Sequence, residues 1–74
     1  MTYRPLRRNA TADDFANWES KAATMTDSEL RYVAKECRDV AALWRGADAV
    51  VEGFYDDQAS TYAMVLRRRQ LAAL

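Results

Sequence analysis

The sequence has no histidine, one cysteine, one proline and two glycines. Without histidine, the commonest general base and the commonest metal ligand are both missing. One cysteine, Cys37, permits no intrachain disulfide, so nothing ties the fold to an oxidising compartment. With helix breakers confined to Pro5, Gly46 and Gly53, nearly the whole chain is free to be helical. No stretch approaches the ~20 apolar residues of a membrane span, and no apolar run follows the N-terminal arginines, so neither a span nor a secretory signal is read. The expectation is a cytoplasmic protein.

What is present is charge, unevenly placed. Eleven basic and eleven acidic residues give a formal net charge of zero over 74 residues. Arg4, Arg7 and Arg8 lie at the start and Arg67, Arg68 and Arg69 near the end, while residues 9–57 hold all eleven acids and five bases, a net of −6. The ends are basic and the middle acidic, which is not the footprint of a nucleic-acid-binding domain. A chain this short supports one domain, and its core stabilises by roughly 3–5 kcal/mol unless packing is very good or the chain oligomerises.

The best-specified stretch runs from Thr26 to Arg45. Thr26 and Glu29 form the Thr-x-x-Glu spacing of a capping box, and Met25 and Leu30 that of a hydrophobic staple. Arg45 in the last turn and Gly46 after it read as the stop. Between them Leu30, Val33, Ala34, Cys37, Val40, Ala41 and Trp44 fall on one arc of roughly 120°, a core-facing stripe. Arg31, Lys35, Arg38 and Arg45 line one flank, and Glu36 and Asp39 lie away from it with Tyr32 and Leu43.

Residues 1–10 read as a basic N-terminal arm, with Pro5 extending Arg4, Tyr3 and Leu6 placed to dock on the body, and Arg4, Arg7 and Arg8 free for phosphate or an acidic partner, or simply solvated. Residues 11–74 form a single helical domain. Its first helix spans about Ala12 to Ala23, capped by Thr11, with Asp13 and Asp14 in the first turn and a stripe of Phe15, Trp18, Ala22 and Met25. The two- or three-residue link that follows predicts that the first and second helices pack as neighbours. Residues 46–55 read as a connection with a short extra helical turn near residues 48–52, capped by Asp48 and closed by Gly53. The last helix is expected to start at Asp56 or Asp57 and run to about Ala72, with Ala59, Tyr62, Ala63, Leu66 and Ala73 facing inward. The fold class is all-α: a small three-helix bundle packed around Phe15, Trp18, Leu30, Val33, Cys37, Val40, Trp44, Tyr62 and Leu66.

Few residues invite chemistry. Cys37 sits mid-stripe with no activating base, which reads as core. The pairs Asp13–Asp14 and Asp56–Asp57 sit at expected helix starts, where acids stabilise without function, and no metal-ligand spacing accompanies them. Arg67, Arg68 and Arg69 are consecutive, so a helix spreads them about 100° apart rather than into one patch. The features left over are Met64 and Leu71, which fall off the inward stripe between Arg67 and Arg68. An apolar pair edged by arginine suits a protein contact or a two-fold self-contact. The flank of Arg31, Lys35 and Arg38 is the other candidate.

Three stretches, Thr26-Asp-Ser-Glu-Leu-Arg-Tyr32, Glu52-Gly-Phe-Tyr-Asp-Asp57 and Ala63-Met-Val-Leu-Arg-Arg-Arg69, resemble small helical reading frames carried by tailed bacteriophages. That resemblance, over about residues 25–69, implies a phage accessory protein that binds and inhibits a host factor, such as RNA polymerase or a CRISPR effector complex. It brings no site residues with it. The expectation is a non-enzymatic, protein-binding accessory without cofactor or metal, which acts in the host cytoplasm through Met64, Arg67, Arg68, Leu71, Arg31, Lys35 and Arg38, as a homodimer or against a host protein. The alternative is a small nucleic-acid-binding protein that uses its arginine-rich ends.

Overall fold

Side-chain caps set where each helix begins. The computed structural model describes residues 7–74 and contains α1 (Ala12–Ala23), α2 (Asp27–Trp44) and α3 (Ala49–Ala72), with no strand among the described residues. The expectations for Tyr3, Arg4 and Leu6 fall outside the described residues. Thr11 and Asp14 close a capping box at α1: the Thr11 N–H donates to Asp14 Oδ2 at 2.8 Å and the Asp14 N–H to Thr11 Oγ1 at 3.3 Å. Thr26 and Glu29 do the same at α2, with bonds of 2.9 and 3.1 Å. Asp48 caps α3 by accepting from the Val50 and Val51 N–H groups at 3.0 and 3.3 Å.

α2 stops one residue earlier than expected. Arg45 is its extended C-cap rather than part of the last turn, and Gly46 takes a φ of 81°, the left-handed conformation that glycine adopts without strain. The Ala47 and Asp48 N–H groups then return to the Trp44 carbonyl at 2.9 and 3.0 Å.

The extra turn near residues 48–52 is helical, but it is not separate. It continues through Gly53 into α3, so the last helix begins at Ala49 and not at Asp56 or Asp57. Glycine weakens a helix interior by only ~1 kcal/mol relative to alanine. Burial of Val51 and Phe54, on either side of Gly53, outweighs that loss. At ~1.5 Å per residue the 24 residues of α3 span about 36 Å, most of the 41 Å long axis of the molecule.

α3 is the hub. It packs along α2 most extensively and against α1, while the backbones of α1 and α2 approach each other little; side chains of both, Trp18 and Ala22 with Leu30 and Ala34, belong to the one core cluster. The link turns the chain, and α3 then covers both apolar stripes. The inward residues of α3 accordingly occupy a wide arc, roughly 160° from Thr61 and Phe54 through Val51 and Tyr62 to Ala59. The core cluster is Trp18, Ala22, Leu30, Ala34, Cys37, Phe54, Ala59 and Tyr62. Val33 and Leu66 pack on it partly buried, and Val40 and Trp44 are half-buried. Phe15 is not core: it is 38% exposed, packed edge-on against Trp18 at the rim of the α1–α3 contact.

Polar contacts lock the arrangement. Arg69, in the last turn of α3, donates to the Met25 carbonyl at 2.7 Å, the Ala22 carbonyl at 2.8 Å and Asp27 Oδ1 at 3.1 Å. One guanidinium thus joins the end of α1, the link and the start of α2 to α3. At the other end Arg7 pairs with Asp48 at 2.7 Å and Arg45 with Glu52 at 3.0 Å. Arg8 forms a two-pronged bond to Asp14 and lies 5.3 Å from the centroid of the Phe54 ring. Trp18 meets Phe15 and Phe54 edge-on, both at 5.3 Å between centroids.

Candidate protein-contact face

A helix that buries one arc must present the other. On α3 the outward positions are Gly53, Asp57, Ser60, Met64, Arg67 and Leu71, spaced by alternating steps of four and three. Met64 and Leu71 are each 57% exposed. They lie roughly 160–180° around α3 from Tyr62, which is buried in the core with Leu30 and Cys37 of α2. This outer face therefore looks away from α2 and runs beside α1.

Between α3 and α1 lies a cleft of ≈ 220 Å³ lined by Phe15, Glu19, Asp57, Ser60, Thr61 and Met64. Phe15, expected in the core, instead forms one wall of it. The single-sequence signal for this was absent, since Phe15 sits on the same stripe as Trp18 and Ala22. Toward the end of α3 a second cleft, ≈ 440 Å³, is bordered by Glu19, Ala23, Val65, Arg68, Arg69 and Ala72. Arg68 reaches across between them to Glu19 in an exposed ion pair. Thr61, buried within the first wall, bonds to the Asp57 carbonyl at 2.9 Å, and no buried polar side-chain atom is without a partner among the described residues.

The consecutive arginines separate in role. Arg69 is turned inward on backbone carbonyls, Arg68 is paired with Glu19, and Arg67 forms no ion pair among the described residues. Met64, Arg67, Arg68 and Leu71 thus share one face of α3. Arg31, Lys35 and Arg38 do not join them, because they lie on α2, beyond the width of α3. Lys35 is bonded to Asp39 at 2.8 Å, which raises its ammonium pKa and keeps it charged. Arg31 and Arg38 form no ion pair among the described residues. The back of α2 exposes Tyr32 (63%) and Leu43 (78%), and the Tyr32 phenol is pushed up by its bond to the Glu36 carboxylate.

Nothing in the described residues assembles reactive groups. Cys37 is buried, and burial, with the nearby Glu36 charge, pushes its thiol up to about 11, away from the thiolate that a nucleophile needs. Among the described residues no cluster of three histidine, cysteine or acidic side chains is placed to hold a metal ion, and no helix is long and apolar enough to cross a membrane. No family model matches the chain, and no curated protein or solved structure matches it either.

Proposed function

We propose that this chain is a non-enzymatic protein-binding accessory whose contact face is the outer stripe of α3 together with the Phe15 edge of α1. One observation carries the reading: Met64 and Leu71, both more than half exposed, share one helix face, Met64 lines the cleft that Phe15 walls, and Arg67 and Arg68 stand at the edges of that face. Exposed methionine and aromatic side chains edged by arginine are the composition of interface hot spots. The nucleic-acid reading loses support from the same geometry. Of the six terminal arginines, Arg7, Arg8, Arg68 and Arg69 are engaged by Asp48, Asp14, Glu19 and the α1–α2 junction. That leaves little coherent positive surface for a phosphate backbone. The resemblance to phage reading frames supports a host factor as one class of partner.

The test compares wild type with a Met64→Ser/Leu71→Ser variant in capture from host lysate and in self-association. Both residues are exposed, so the variant should keep its helical signal and thermal midpoint while binding weakens at least tenfold, about 1.4 kcal/mol. An association that survives the double change unaltered refutes this face as the contact surface.

A further inference from the structure

We propose that the occupant of the outer α3 face is a second copy of this chain, bound through an antiparallel two-fold pairing of the α3 helices. The proposal rests on the reading of that face as a contact surface and names its partner. The outward stripe repeats on average every 3.5 residues, the period of a helix–helix seam. It is also polarised along its length. Its first half carries small and acidic residues, Gly53, Asp56, Asp57 and Ser60. Its second half carries large apolar and basic ones, Met64, Arg67, Arg68 and Leu71. A stripe of that kind is complementary to its own reverse, the condition for an isologous two-fold interface.

One register satisfies every pairing. With the two-fold axis beside position 62, Leu71 of each copy faces Gly53 of the other, and Met64 faces Ser60. On one edge of the seam Asp57 meets Arg68, sharing or replacing the exposed pair of Arg68 with Glu19 in the protomer, and on the opposite edge Asp56 meets Arg67. These pairings are all centred within about half a residue of position 62 along the helix. The cleft walled by Phe15 opens next to Met64, so the exposed ring adds apolar surface beside the axis, with the charges outside it.

Gly53 supplies independent support. It is helical, and glycine there weakens α3. A Cβ at this position would meet nothing within 4 Å, so no contact among the described residues calls for glycine. The approach of a large side chain from outside does, and in this register that side chain is Leu71 of the second copy. From Gly53 to Leu71 the seam is only about 27 Å long and one helix wide. That is below the standard interface size of ~800 Å² per partner, so the pair is a reversible one.

Sedimentation velocity from about 1 to 500 μM, a range wide enough to follow a small reversible interface, is the experiment. Wild type should pass from monomer to dimer across it. Arg67→Glu and Asp56→Lys, each retaining the wild-type helical signal, should each weaken the dimer about tenfold, since every pairing is made twice. Their equimolar mixture should restore association to near wild type, because each copy then offers the charge that the other lost. Gly53→Gln should raise the thermal midpoint of the dilute monomer while weakening self-association. Wild type that stays monomeric throughout, or a mixture no tighter than either variant alone, overturns the proposal. If wild type is monomeric yet a lysate protein is still lost on Met64→Ser/Leu71→Ser, the contact face stands and only its occupant is overturned. If that capture is also unaffected, both readings fall.

Discussion

Replacing Arg69 by methionine tests whether one guanidinium holds the three helices together. Methionine retains much of the apolar stem but removes the donors to the Ala22 and Met25 carbonyls and to Asp27. A hydrogen bond from a charged donor contributes ~1.5–3 kcal/mol, whereas an exposed ion pair adds only ~0.2–1. The Arg69 side chain is 33% exposed, so the lower end applies, and the two carbonyl bonds together contribute about 3 kcal/mol. At 0.05–0.15 kcal/mol per residue, a 74-residue chain is stable by roughly 4–11 kcal/mol, and a core this small lies toward the bottom of that range. Arg69→Met should therefore remove about half the stability. With an m-value of about 1 kcal/mol/M, the urea midpoint followed by far-ultraviolet circular dichroism should fall by about 3 M. Arg69→Lys should recover little, because a single ammonium does not reproduce the planar fork that spans both carbonyls. A midpoint for Arg69→Met within about 0.5 M of wild type would refute the reasoning, since water would then satisfy those carbonyls as well as the guanidinium does.

Three further outcomes follow from the caps and the core. Thr26→Ala should destabilise by about 1 kcal/mol through loss of the α2 cap, and an unchanged denaturation midpoint would show that Thr26 Oγ1 does not hold the Glu29 N–H. Cys37 should react slowly with thiol reagents in the native state and quickly once unfolded; rapid native labelling would show that the α2–α3 seam is open. Acid should destabilise in a defined window. The Arg8 guanidinium, and next the Thr11 N–H, hold the Asp14 carboxyl well below the usual range; Arg7 lowers Asp48, and the Thr26 N–H lowers Glu29. Carboxyls lowered on folding stabilise above their unfolded values and lose that contribution as pH falls through the lowered ones. Stability should be flat from pH 7 to about 5 and decline below about 4. Arg8→Ala should make the decline shallower, and an unchanged slope in thermal midpoint against pH would contradict the assignment.

Much of the fold was legible in the sequence because its punctuation is local. The caps of α1 and α2 need only residues three apart, and both helices begin where Thr11 and Thr26 place them. Asp14 as the partner in the α1 box was open to the same reasoning, by its spacing from Thr11. The start of α3 was hidden because Gly53 and Asp56–Asp57 imitate a stop and a start. What overrides them is burial of Val51 and Phe54, which is a tertiary fact. The hub role of α3 was hidden for a related reason. A helix covered from two sides spreads its buried residues over a wide arc, so it reads as weakly amphipathic beside the narrower stripe of α2. Arg69 left no signal, since its partners are backbone carbonyls 44 and 47 residues away. The outward positions of Met64 and Leu71 came directly from helical periodicity. Phe15 did not, because its exposure depends on how α1 is set against α3, which is a tertiary fact.

The central position of α3 also governs how the protein is made. α1 and α2 leave the ribosome first, and neither covers the other. Trp18, Leu30 and Cys37 then have no surface to pack on until the chain through Phe54, Ala59 and Tyr62 has emerged. The α2–α3 hairpin is local, but contacts between α1 and α3 such as Glu19–Arg68 and Ala22–Arg69 join residues nearly fifty positions apart, so α1 docks only through a long-range closure. A chain halted within α3 therefore leaves the apolar stripes of α1 and α2 without their cover and is not a smaller version of the same protein.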